Sequence, residues 1–290
     1  MDEGAVRSLS TDFDVIYDPG LVDRRGDLFD ALPGARGLIV RNRTTVDAKL
    51  LDASPGLRVV GRLGVGMDNI DLEACRARSV LVRPAIGANA DAVAEYVIGA
   101  VLALVRGTFL STDRVLRGEW PRTDMVGLEV ATRTLGLVGL GDIARRVAER
   151  GAALGMRIWA HDPYLATGDS AWESIKNVDL ETLIAHSDAI SIHVPLTEAT
   201  TGLFNRAAIQ SMKRTAVLVN TSRGGIVDEV ALVAALRDGH LRGAAIDVYE
   251  HEPVDHVMGE RFKDVPNLIL TPHIAGITEE SNVRVSAMTA

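Results

Sequence analysis

The run Leu135-Gly-Leu-Val138, continued by Gly139-Leu140-Gly141-Asp142-Ile143-Ala144, constrains this chain more than any other stretch. An apolar segment of that length reads as a buried strand. The glycines close a turn that opens a helix with Ile143, Val147 and Leu154 along one face. After Gly155 a second apolar strand, Met156 to Ala160, leads to an acid at Asp162. Strand, glycine turn, helix, strand and acid in that order form a dinucleotide-binding fingerprint. Gly139 permits the tight turn, and Gly141 lets a pyrophosphate approach the backbone where the helix starts. Ala144 takes the third position, where only small size is needed for helix–strand packing. A carboxylate at Asp162 accepts hydrogen bonds from ribose hydroxyls and repels a 2′-phosphate, so NAD is the expected cofactor.

The rest of the chain repeats the alternation. A helix is expected over residues 1–10, then a strand from Phe13 to Tyr17. Gly37 to Val40, Leu57 to Val60 and Val80 to Val82 are short apolar runs, with helical stretches at Val46 to Leu51 and Leu72 to Arg78 between them. Asn89 is positioned to cap a long helix whose apolar face includes Val93, Tyr96, Val97, Ala100, Val101 and Leu104. That face is wide enough for part of it to pack on another subunit. Four further strands follow at 187–193, 216–220, 244–248 and 267–270. Alternating strands and helices imply α/β architecture with two Rossmann-like or flavodoxin-like parallel-sheet domains and the cofactor cleft between them. The expected division is 1–87 plus about 277–290 for a substrate domain and 88–276 for an NAD-binding domain.

Composition narrows the partners. With 290 residues, 47% hydrophobic and 24% charged, the chain is long and apolar enough for real cores. A formal net charge of −8 offers no electrostatic drive toward nucleic acid or anionic membrane. The single Cys75 excludes an internal disulfide or a thiolate metal cage and suits a reducing cytoplasm. The apolar run Val93 to Val105 is shorter than a membrane span and contains Glu95. His251 and His256 near Glu252 and Asp255 lie in a loop, and no metal is expected there.

Parallel sheets bind ligands outside the carboxyl ends of their strands. Thr221-Ser222-Arg223-Gly224-Gly225 follows one apolar run, Asp247 and then Glu250-His251-Glu252 follow the next, and Thr271-Pro-His273-Ile-Ala275-Gly276 follows the last. An arginine, a carboxylate and a histidine are thus delivered toward one sheet edge. Hydride transfer on a 2-hydroxy acid needs those types. Arginine forks onto a carboxylate, histidine exchanges a proton near neutral pH, and a neighbouring acid holds the imidazole. His193 also ends a strand, and there a structural or ribose-adjacent role is expected rather than catalysis.

The segments Asn220 to Glu229, Asp247 to Pro253 and Thr271 to Gly276 resemble the D-isomer-specific 2-hydroxyacid dehydrogenases, with His193-Val-Pro-Leu-Thr197 and Gly61 to Asn69 extending the likeness over nearly the whole chain. The nearest flavour is the 3-phosphoglycerate dehydrogenase-like group, and the resemblance implies a homodimer. The resemblance implies Arg223 as carboxylate and carbonyl anchor, His273 as acid/base and Glu252 as its partner. It places Gly139, Gly141, Asp142, Ile143, Asp162, Thr221, Ser222, Arg223, Asp247, His273, Ala275 and Gly276 along the NAD, and Arg62, Val65, Gly66 and Arg223 against a small anionic 2-hydroxy or 2-keto acid. Arg41, Arg43, Arg62 and Arg83 all follow apolar runs of the first domain, so one or two of them are expected to meet a second anionic group on the substrate, as in 3-phosphoglycerate. Other 2-hydroxy acids (sulfolactate, glycerate, glyoxylate, lactate) stay open, as does an NAD-sensing corepressor-like role. Family chains begin with a strand before the first helix and end in a longer returning helix. Relative to them, this sequence reads as lacking its first strand and most of its last helix.

Overall fold

The computed structural model describes residues 1–290 and contains ten short strands, every adjacent pair of them parallel. The chain folds as two compact units, one made of Met1–Asn89 with Ile277–Ala290 and the other of Ala90–Gly276.

In the first unit, β1 (Gly37–Val40), β2 (Val59–Arg62) and β3 (Leu81–Pro84) form a three-stranded sheet in that order. Leu28, Leu32, Leu50, Leu51, Val60, Ile70 and Cys75 make its core. The carboxyl-terminal helix Glu279–Thr289 belongs here too. Thr289 sits over Gly61, where even a Cβ would come within 2.7 Å of its methyl group. The expected strand from Phe13 to Tyr17 does not form. Phe13 is 63% and Ile16 69% exposed, and without a neighbouring ladder β-prone residues have nothing to pair with.

The second unit is built on a seven-stranded sheet of β4 (Thr134–Val138), β5 (Arg157–His161), β6 (Lys176–Asn177), β7 (Ala189–Ile192), β8 (Val217–Asn220), β9 (Gly243–Ile246) and β10 (Leu268–Leu270). Its order is β10-β9-β8-β7-β4-β5-β6, which puts the reversal of strand order between β4 and β7. Every residue of β4, β7, β8 and β9 is buried, as strands covered on both faces must be. The helix Ala90–Arg106 packs Val93, Val97, Val101 and Leu104 into one of the two cores. Asn89 does not cap it: the carboxamide Oδ1 is closed off from solvent without a hydrogen-bond partner. Leu154 is also not part of the buried stripe of its helix. It follows Asp142–Ala153 as the C-cap, 38% exposed, and Gly151 packs there instead against Leu135 and Ile158. The two-residue edge strand β6 has too short an apolar pattern to be read from sequence.

Candidate active site

The glycine turn sits at the β4 end of the switch point. Gly139 has φ +86°, and a Cβ there would press to 2.8 Å of the His193 carbonyl, so glycine is required twice over. Gly141 caps the helix Asp142–Ala153 with extended backbone and no side-chain hydrogen bond. A Cβ at Gly141 would meet nothing within 4 Å, so the approach to this glycine is unobstructed. At the end of β5, Asp162 accepts the Leu140 amide at 2.8 Å on one oxygen and the Tyr164 amide at 3.0 Å on the other. Each oxygen keeps a lone pair. Asp162 also lines a recess with His161, Pro163, Leu165, Thr167, Asn177, Val178 and Asp179. A twelve-residue helix without a side-chain cap, an unobstructed glycine and an oriented acid beside a recess together fit a pyrophosphate and an adenosine half.

Three loops follow β8, β9 and β10. After β8, Asn220 (1% exposed) shapes the turn, its amide donating to the Arg223 carbonyl at 2.9 Å and its oxygen accepting the Ser222 amide at 3.1 Å. Ser222 Oγ donates to the Ile192 carbonyl at 2.7 Å, tying this turn to β7. Thr221 Oγ1 is buried without a partner. Gly224 then lies flat on the next loop, where a Cβ would fall 1.8 Å from the Tyr249 carbonyl oxygen. No other residue allows so close an approach, and this contact fixes Arg223 beside the acid-bearing loop.

In that loop Glu252 accepts the Tyr249 amide at 3.0 Å and sits 2.7 Å from His273 Nδ1. Burial pushes the Glu252 carboxyl up, but the His273 and Tyr249 hydrogen bonds and the positive charges of His273 and Arg223 outweigh it and hold the group below its usual value. Glu252 is therefore a carboxylate that holds one imidazole nitrogen and leaves Nε2 for another partner. His273 itself has φ +53°, a left-handed conformation that disfavours residues with a side chain.

Asp247, 1% exposed, organises the loop that carries His273. Its backbone carbonyl accepts the His273 amide at 2.8 Å, one carboxylate oxygen takes the Ile274 amide at 2.9 Å and the Thr271 hydroxyl at 2.5 Å, and the other takes the Ala275 amide at 2.9 Å. Ala275 is buried and Gly276 half-buried behind it. The β8–β10 edge thus brings together Arg223, Asp247, Glu252 and His273, while Gly139, Gly141, Asp142, Ile143 and Asp162 gather at β4 and β5. Arg62, Val65 and Gly66 belong to the other unit. There Arg62 Nη1 donates to the Leu63 carbonyl at 2.5 Å, and Val65 is 39% exposed. Of the other arginines of that unit, Arg43 is committed to Asp23 and Arg41 to Asn282 at 2.6 Å, whereas Arg83 is exposed.

Two residues of this edge carry no functional signal of their own in the sequence. Tyr249, with Oη on the Thr271 carbonyl at 2.9 Å, and Tyr96, 2.7 Å from Thr271 Oγ1, both touch the loop before His273. Tyr96 is legible only as one more position on an apolar helix face. His193 lies at the β7 end with Nε2 enclosed and unpartnered, and burial lowers its imidazole to about 4, so it is neutral near pH 7.

Known proteins resemble this chain over most of its length. Residues 98–275 match the family model of the D-isomer-specific 2-hydroxyacid dehydrogenase NAD-binding domain. The chain is 52% identical over its whole length to (S)-sulfolactate dehydrogenase of Chromohalobacter salexigens, covering 93% of that protein. It is 38% identical over 92% of its length to D-3-phosphoglycerate dehydrogenase of Archaeoglobus fulgidus, but spans only 50% of that longer chain. Among solved structures, D-lactate dehydrogenase of Aquifex aeolicus complexed with NAD and lactic acid superposes with a TM-score of 0.80 at 30% identity, covering 89% of this chain and 81% of that one. The chain belongs to the D-isomer-specific 2-hydroxyacid dehydrogenases, NAD-dependent oxidoreductases that act on small 2-hydroxy and 2-keto acids.

Proposed function

We propose that this enzyme interconverts (S)-3-sulfolactate and 3-sulfopyruvate, with Arg223, Glu252 and His273 as its catalytic residues. The observation that carries the substrate is the 52% identity to a sulfolactate dehydrogenase across the full chain, against 38% and half the length for the phosphoglycerate enzyme. The descriptor is consistent with D-isomer specificity. Sulfur on C3 makes that arm outrank the carboxylate, so (S)-sulfolactate has the spatial arrangement of D-lactate. The expectation of a second anionic group on the substrate is kept, with sulfonate replacing phosphate. Arg62 and Arg83 are the arginines proposed for it, and Val65 and Gly66 are proposed to offer backbone amides to the carboxylate.

Bound NAD supplies the hydride acceptor. Gly139, Gly141, Asp142 and Ile143 would hold its pyrophosphate, Asp162 its adenosine ribose, and the backbone of Thr221, Ser222, Ala275 and Gly276, with Asp247, its nicotinamide half. Arg223 grips the carboxylate and polarises the oxygen on C2. His273 Nε2 takes the C2 hydroxyl proton during oxidation and returns it during reduction, while Glu252 on Nδ1 keeps the ring oriented and stabilises its protonated form. A homodimer is proposed as the assembly. The segment after the helix Ala90–Arg106 exposes Phe109 (68%), Leu116 (79%), Trp120 (82%) and Val126 (74%), and a second copy of the chain would cover them.

Initial rates of nicotinamide absorbance change with 3-sulfolactate, 3-phosphoglycerate, glycerate and lactate test the substrate. The highest kcat/KM is expected for 3-sulfolactate, and a preference for lactate would refute the second anionic site.

A further inference from the structure

We propose that Tyr96, in the middle of the helix Ala90–Arg106, is a positioning residue for His273, acting through a hydrogen-bond chain that runs from Tyr96 to Thr271 to Asp247. The inference rests on His273 as the group that moves the proton.

The direction of the chain follows from chemistry. A carboxylate only accepts, so the 2.5 Å contact between Thr271 Oγ1 and Asp247 uses the Thr271 hydroxyl proton. Thr271 Oγ1 then has only lone pairs to offer Tyr96 Oη at 2.7 Å, and Tyr96 is the donor. Burial raises the Tyr96 phenol, and the nearby Asp247 charge acts in the same sense against the lowering effect of the Thr271 contact, so the donor form persists well into alkaline pH. Tyr249 Oη holds the Thr271 carbonyl at 2.9 Å from the other side. Thr271 is the residue at which the chain leaves β10, two positions before His273 and its left-handed backbone.

The two ends of the chain differ in rigidity. Val93, Val97 and Val101 bury their helix to 5% exposure or less, so the Tyr96 ring is carried by a fixed element. His273 is partly exposed on a loop that owes its shape to bonds converging on Asp247. Removing the Tyr96 hydroxyl leaves Thr271 Oγ1 without its donor and frees it to turn away from Asp247. The same Asp247 oxygen also holds the Ile274 amide, so the disturbance falls on the backbone directly after His273. A small displacement there misaligns the imidazole with the substrate oxygen, while Arg223 after β8 and the glycine turn after β4 stay in place.

The test compares wild type with Tyr96→Phe, Thr271→Val and the double variant, using 3-sulfopyruvate and, in parallel, hydroxypyruvate with NADH, well below the melting temperature. Tyr96→Phe keeps the ring and its packing. Its kcat should fall about 3- to 30-fold, while KM and the NADH dissociation constant from fluorescence titration stay within about twofold. In the double variant the loss should match that of Thr271→Val alone, because the two residues act in series. A kcat within about twofold of wild type, a loss carried equally by KM, or multiplicative losses in the double variant would overturn the assignment. A lowered melting temperature with an unchanged kcat would do the same, since it marks packing alone. His273→Ala separates the two readings: if it stays active the catalytic assignment itself fails, and if it is inactive while Tyr96→Phe is normal only the positioning role fails.

Discussion

The two parallel sheets of this protein are built from similar sequence material but are buried to different degrees. In the seven-stranded sheet the central strands are buried along their entire length, and their loops are held by buried side chains such as Asn220 and Asp247. In the three-stranded sheet, β3 alternates between exposed and half-buried residues and β1 begins exposed. A sheet covered on both faces can hold a side chain at its strand ends to a fraction of an ångström, which proton and hydride transfer demand. A thin sheet presents arginines whose reach and partners vary, and that suits recognition of an anion better than chemistry on it.

The largest expected effect tests whether the chemistry lives on the wide sheet. His273→Ala should lower kcat by about 10²- to 10⁴-fold with NADH affinity retained, measured by steady-state kinetics and fluorescence titration. Unchanged turnover would break the comparison at its main point.

Stability should divide the sheets in the same way. Leu137→Ala, at a fully buried β4 position, is expected to destabilise by about 2–5 kcal/mol. Leu81→Ala on β3, where the side chain is 55% exposed, should stay within about 0.5 kcal/mol. Denaturant melts of both variants give the answer, and equal losses would mean that the sheets are packed alike.

His193 sharpens the contrast through pH. Burial lowers its pKa from 6.5 to about 4 in the folded chain. The unfolded chain therefore binds more protons between those values, and stability rises with pH across that window. The contribution, on the order of 3 kcal/mol, is complete above the unfolded value and is lost as pH falls toward the folded one. Thermal melts of wild type and His193→Gln without nucleotide should diverge in this sense; parallel pH profiles would show that the imidazole is not desolvated.

The smallest effect concerns the rim of the wide sheet. Asp162→Ser keeps a polar group but removes the charge beside the recess, and should shift the ratio of kcat/KM for NAD over NADP by about 10- to 100-fold toward NADP. Retained discrimination would mean that the Asp162 carboxylate does not read the ribose.

Much of the candidate site is legible in the sequence because a parallel sheet presents ligand contacts at its strand ends, so a residue just after an apolar run is placed by its position in the chain alone. The glycine turn, Asp162, Arg223 and His273 can be read in this way, each within a few residues of its strand. The Phe13 to Tyr17 segment cannot, because β-propensity records suitability for a pleated surface and says nothing of whether a partner strand exists. Asn89 fails for a related reason: a side chain of the right type before a helix makes a cap only if its oxygen turns toward the first amides.

By itself the sequence determined the α/β alternation, the nucleotide fingerprint and the residue types available for proton transfer, since these depend on local period and on order along the chain. Tertiary structure alone decided which groups meet. Tyr96 and Thr271 lie 175 residues apart, Gly224 reaches the Tyr249 carbonyl across a loop, and Glu252 rather than Glu250 or His251 faces His273. The neutrality of His193 is of the same kind. An apolar pattern shows that a residue has a buried face, but which atoms cover that face, and whether they leave a nitrogen without water or a partner, is set by packing between segments distant in the chain.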